Sequence, residues 1–194
     1  MDVRQNTVVN SSLITICETA LNAALERIER NLLTFSKSFP DNSTRSGIYY
    51  PRMPRNDTVV GGNSGWTTGF WTGQLWLAFE LTGSTRFKLA AQVHSESFRA
   101  RLENRIDLDH HDLGFLYTPS TIADYRLTGS RRARDTAIGA AAELMKRYLP
   151  AAGIFQAWGQ LNDPRCRHVY FRSGLHEDHG NADRRIESGI RRRL

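Results

Sequence analysis

A six-residue string occurs twice in this chain with one residue changed. Leu81-Thr82-Gly83-Ser84-Thr85-Arg86 returns 46 residues later as Leu127-Thr128-Gly129-Ser130-Arg131-Arg132. In each copy the glycine suits the left-handed position that closes one helix, and the serine can cap the amino end of the next. Ala91 and Ala137 continue the correspondence. Tight helical hairpins recurring at a fixed period are how all-α toroids and solenoids are built, because each hairpin buries its apolar face only against its neighbours.

The segments around these turns carry helical spacing. From Leu13 to Phe35 the residues Leu21, Leu25, Ile28 and Leu32 form an inward stripe, with Glu26, Arg27, Glu29 and Arg30 on the other face. Trp66 to Leu81 is apolar almost all round and reads as a deeply buried helix. Thr85 to Leu102 places Phe87, Ala91, Phe98 and Leu102 inward. Thr121 to Leu127 is a short helix, and Ser130 to Tyr148 turns Ala133, Ala137, Ala141, Leu144 and Tyr148 inward. Between the first two helices, Ser36 to Gly65 holds Pro40, Pro51 and Pro54 among Gly, Asn and Ser, and reads as a long loop of the functional kind. No segment sustains alternation of period two, so strands should be few.

The chain has 194 residues, enough for one domain, and a net charge of +6. Residues 1–164 carry +2 and residues 165–194 carry +4. The basic excess is therefore a property of the tail, and the body has no strongly basic face for nucleic acid. No apolar run is long enough to span a membrane, since the one near Trp76 is cut by Glu80. The amino terminus lacks a signal-peptide pattern, and Cys17 and Cys166 form neither a disulfide framework nor a zinc motif, which fits a cytoplasmic protein.

Asp107-Leu108-Asp109-His110-His111-Asp112 is the densest polar cluster, and the apolar Leu113-Gly114-Phe115-Leu116-Tyr117 follows at once and draws it inward. Three readings stay open on the residues alone: a capping loop, a metal-dependent hydrolase site, or a carboxylate placed for proton transfer. Two further clusters, Gly65-Trp66-Thr67-Thr68-Gly69-Phe70-Trp71-Thr72-Gly73 and Gly153-Ile154-Phe155-Gln156-Ala157-Trp158-Gly159, set tryptophan beside glycine, as in open aromatic platforms that stack on sugar rings. Trp71 and Trp76 fit core filling; Trp66 and Trp158 border loops and are the platform candidates.

In order and spacing, Trp66 to Gly73, Leu108 to Tyr117 and Ala157-Trp158-Gly159 resemble the unsaturated glucuronyl hydrolases of glycoside hydrolase family 88, with His110-His111-Asp112-Leu113-Gly114-Phe115 the most specific block. The resemblance runs from about Leu21 to Pro164. It implies an all-α (α/α)6 barrel of which about the first half is present, over residues 1–164. It implies Asp112 as a catalytic carboxylate, and Trp66, His111 and Trp158 at the uronate-binding end. The implied reaction hydrates the C4=C5 double bond of an unsaturated uronic acid at the non-reducing end of a lyase-generated oligosaccharide. Acid–base work suffices for it, so neither cofactor nor metal is expected.

After Asn162-Asp163-Pro164 the family pattern would lead into an apolar helix bearing its proton-donating Asp. Residues 165–194 have eight Arg, no Lys and no helical stripe. Such a tail reads as a frameshift, an unspliced intron or a pseudogene-like truncation, which would leave the chain inactive; the other reading is a basic tail on a helical module that binds an acidic partner.

Overall fold

The amino-terminal spacing produces one long helix, α1 (Val3–Phe35). The structure, a computed structural model, describes residues 3–53, 60–150, 153–157, 159–161 and 170–171. Leu32 and Phe35 are buried and Leu25 and Ile28 pack beside them, but Leu21 is exposed, since α1 meets the core only from Leu25 onward among the described residues.

The stretch from Ser36 to Gly65 contains a hairpin as well as loop. Strands β1 (Pro40–Arg45) and β2 (Ile48–Pro51) pair antiparallel through the two-residue turn Ser46-Gly47, both at positive φ, 51° and 74°. That is the left-handed turn chemistry hairpins favour. Neither strand has a buried residue, so no alternation of period two marks it in the sequence. Phe39, fully buried, and a short 3-10 turn at Val60–Gly62 anchor the loop to the helices, with the Phe39 N–H donating to Gly61 O at 2.9 Å.

Helices α2 (Thr68–Thr82) and α3 (Thr85–Glu103) form the first hairpin of the repeat. The second is made by α5 (Ala123–Thr128) and α6 (Arg131–Met145). The two turns match closely. Gly83 and Gly129 are left-handed, and their N–H groups donate to Phe79 O and Tyr125 O, each at 2.8 Å. Thr82 and Thr128 each accept from the following serine N–H at 3.2 Å and donate to the carbonyl four residues back. They differ at the cap: Ser130 Oγ accepts from the Ala133 N–H, whereas the Ser84 side chain makes no capping bond.

The second hairpin begins earlier than its apolar spacing indicates. Helix α4 (Leu113–Tyr117) passes through a π turn (Thr118–Ile122) directly into α5. Pro119 removes a donor inside this run, which in sequence reads as a break. The wider turn accommodates it, and the hydroxyls of Ser120 and Thr121 donate to Leu116 O and Tyr117 O at 2.6 and 3.2 Å. On α6 the inward residues are Ala133, Thr136 and Ala140; Ala141 is exposed, and Tyr148 lies beyond the helix in a strand.

The helices stand in two rows. A Cβ on Gly69 would meet Phe115 O and Leu116, and one on Gly73 would meet Pro119, so α2 runs in close contact with the α4–α5 run and in the same direction. Arg132 meets Glu96, Gly139 meets Leu102, and Glu143 meets Arg105, so α6 runs parallel to α3. Trp71, Leu75, Trp76, Phe87, Phe98 and Leu116 fill the space between the rows. After α6, the strands β3 (Tyr148–Leu149), β4 (Ile154–Gln156) and β5 (Tyr170–Phe171) form a small antiparallel sheet in that order. The rest of 165–194 lies outside the described residues. Among the described residues no helix is long and apolar enough to cross a membrane.

Candidate active site

Asp112 sits at the entry of α4 and is buried, with 6% of its surface exposed. Both of its oxygens face an imidazole: His111 Nε2 is 3.3 Å from Oδ1 and His110 Nδ1 is 3.5 Å from Oδ2. His111 is held from behind by Ala157, whose carbonyl accepts from the His111 backbone N–H at 2.9 Å and lies 3.2 Å from Nδ1. With Nδ1 set against this carbonyl, Nε2 is turned toward the carboxylate. His110 Nε2 lies 3.0 Å from Asp107 O and 3.3 Å from Arg101 Nη2, and its Nδ1 lies 3.2 Å from the Asp112 backbone nitrogen, whose N–H donates to it. Burial pushes the His110 pKa down, and Arg101 adds to this while Asp107 and Asp112 oppose it.

One turn along α4, Phe115 opens an aromatic shelf. Trp66, Phe70 and Phe115 lie edge to face or tilted against one another at 5.9–6.3 Å, and all three are exposed. The sequence singled out Trp66 here; Phe70 and Phe115 complete the shelf because the close contact at Gly69 brings the start of α2 onto α4. The Phe115 N–H donates to Asp112 O at 2.9 Å, so shelf and carboxylate share one helical turn. Trp158 lies outside the described residues; Ala157, its predecessor, is the residue bonded to His111.

Two buried arginines that sequence reasoning missed brace this site. Arg101 is fully buried and donates to the carbonyls of Gly65, Ile106 and Asp107 and to the side chains of Asn63 and Asp107. Arg147, also buried, donates to the carbonyls of Gln156 and Gly159 at 2.9 Å each and approaches Asp109 at 3.8 Å. A third, Arg52, ties the β1–β2 hairpin to the shelf: its guanidinium bonds Asn42, Ser64 O and Thr67. Among the described residues no group of three or more His, Cys, Asp or Glu is arranged to hold a metal ion. The arrangement can hold a flat or ring-shaped ligand on the shelf and move a proton at its edge through Asp112.

No protein-family model matches the chain. Curated relatives do. The unsaturated chondroitin disaccharide hydrolase of Streptococcus agalactiae is 43% identical over 155 residues, and the unsaturated glucuronyl hydrolase of Bacillus sp. strain GL1 is 41% identical over 147 residues. The chain is a relative of the unsaturated glucuronyl hydrolases. These matches cover 79% and 76% of this chain and 37% of each relative, so the chain spans little more than a third of their length. The crystal structure of the Bacillus sp. unsaturated glucuronyl hydrolase superposes with a TM-score of 0.63 at 40% identity, over 76% of this chain and 37% of that one. A mutant of the Streptococcus agalactiae unsaturated glucuronyl hydrolase, complexed with dGlcA-GalNAc6S, superposes with a TM-score of 0.59 at 42% identity, over 68% of this chain and 32% of that one. Unsaturated glucuronyl hydrolases are (α/α)6 barrels, and the two rows of parallel helices are part of one.

Proposed function

We propose that this chain supplies the Asp112 carboxylate and an aromatic sugar shelf to an unsaturated glucuronyl hydrolase, a glycoside hydrolase that hydrates the C4=C5 double bond of an unsaturated uronic acid at the end of an oligosaccharide. The observation that carries the proposal is Asp112 itself, buried against two imidazoles beside the exposed Trp66, Phe70 and Phe115. In this reaction a carboxylic acid protonates C4, positive charge develops at C5 and the ring oxygen, and water adds to C5. The hemiketal then opens and releases the aglycone. Asp112 serves in the proton transfer, Trp66 with its two phenylalanines carries the sugar face, and His111 and Trp158 belong to the uronate end. Acid–base chemistry is enough for every step, so the reading needs no cofactor and no metal.

The test is a chimera in which the matched residues of this chain replace their counterparts in the Bacillus sp. relative. Hydration is followed as the loss of ultraviolet absorbance of the conjugated double bond in an unsaturated glucuronyl disaccharide. The chimera is expected to turn over, and Asp112→Asn in it to lower kcat about 10² to 10⁴-fold with the fold retained, since the change keeps shape and removes proton transfer. The chain alone, little more than a third of such an enzyme, is expected to give little or no turnover. A folded chimera without activity, or one indifferent to Asp112→Asn, overturns the reading.

A further inference from the structure

We propose that Arg101 and Asp107 form a clamp that sets the aromatic shelf and the His110-His111-Asp112 block in register, making Arg101 a positioning residue of the site. The proposal rests on the reading of Trp66 and Asp112 as parts of one site. Gly65, the residue before Trp66, is held at both of its backbone groups: its N–H donates to Asp107 Oδ2 at 2.6 Å, and its carbonyl accepts from Arg101 Nη1 at 2.9 Å. Arg101 Nη2 donates to Asp107 twice, to the carbonyl at 2.7 Å and to Oδ2 at 3.1 Å. The same Asp107 carbonyl faces His110 Nε2 at 3.0 Å, and His110 Nδ1 faces the Asp112 N–H at 3.2 Å. A continuous run of polar contacts therefore leads from Gly65, beside the shelf, to the backbone of Asp112, with the guanidinium at its centre.

The backbone around the clamp is strained. Arg105 and Asp107 are non-glycine residues at φ 53° and 49°, and Gly65 is left-handed at 72°. Such conformations persist where the surroundings over-determine them, and they gather at sites that need a fixed geometry. A fully buried guanidinium is likewise costly unless its donors are satisfied; here they meet three carbonyls and two side chains. What these features jointly fix is the placement of Gly65 relative to His110, which is the preorganisation a two-walled site requires.

The test needs no substrate. The chain is labelled with 5-fluorotryptophan and with ¹⁵N-histidine, and the Trp66 and His111 ring resonances are compared in the parent, Arg101→Lys and Asp107→Asn. Neither ring touches Arg101 or Asp107 directly in the contacts given above. The expected result is that both resonances move by more than a linewidth in both variants, while those of Trp71 and Trp76 in the core stay in place. Should Arg101→Lys fail to fold, Asp107→Asn decides alone, because its side chain is 43% exposed and its shape is kept. Movement of only one of the two rings, of neither, or of the core tryptophans along with them overturns the clamp. An inactive chimera would count against the functional reading and leave this comparison standing, so the two can fail separately.

Discussion

His94 shows at the scale of one residue how the core meets a titratable group. Its ring is buried against Phe39 at 4.5 Å, and Nε2 lies 2.9 Å from Phe35 O and 3.2 Å from Trp71 Nε1. Burial lowers its pKa from 6.5 to about 4, only partly offset by the Phe35 carbonyl. Between those values the unfolded chain binds a proton that the folded chain refuses. His94 therefore leaves stability intact above pH 6.5 and subtracts from it as pH falls toward 4. The loss amounts to about 2 kcal/mol between about pH 7 and about pH 5. In His94→Leu, Trp71 keeps its bond to Phe35 O at 3.0 Å, so urea titrations at the two pH values should show that much less acid sensitivity than the parent. An unchanged pH dependence would mean the ring is not held neutral. Asp112, His111 and Trp66 stood out in the sequence because like chemistry is crowded into short strings. Arg101 did not, since it lies among Arg99, Glu103 and Asn104, where an arginine reads as the solvated face of a helix. Its burial follows from the path of residues 63–65, which local pattern does not encode.

Among the elements, the twin turns were the most legible, because a left-handed residue after a helix is a chemical demand that glycine meets. A Cβ at Gly83 or Gly129 would meet nothing within 4 Å, so the cost of alanine there is conformational alone. Gly83→Ala and Gly129→Ala should each destabilise by about 1 kcal/mol in urea unfolding. The serines should part company: Ser130→Ala loses a cap and about 1 kcal/mol, and Ser84→Ala, whose hydroxyl caps nothing, should cost close to zero. Equal losses at the two serines would show that the observed difference in capping has no energetic content. The β1–β2 hairpin and the helix across Pro119 were not legible for opposite reasons. The hairpin has no buried face to impose alternation, and the proline hides a helix whose continuity depends on Ser120 and Thr121 hydroxyls and on contact with Gly73.

For the whole molecule, the parallel pairing of α2 with α4–α5 leaves two apolar stripes side by side. Phe70, Leu77 and Leu81 form one, Phe115, Ile122 and Tyr125 the other, and all six are exposed. The all-round apolar character of α2 reads in sequence as deep burial, and in the structure three of that helix's seven large apolar side chains face outward. Here the stripes meet solvent, and contiguous apolar surface of this kind drives association. Sedimentation velocity of the chain on its own should therefore show concentration-dependent oligomers. Leu77→Lys combined with Ile122→Lys should shift the distribution toward monomer while circular dichroism keeps its helical signal, because both positions lie outside the core packed around Trp71, Leu75 and Trp76. Leu75→Lys, at a fully buried position, should instead unfold the chain, since an unpaired charge there has no partner. A double variant that associates as strongly as the parent would transfer the effect to α1, whose Leu13, Ile14 and Ile16 are also exposed, and would show that the stripes on α2 and α5 are not the adhesive face.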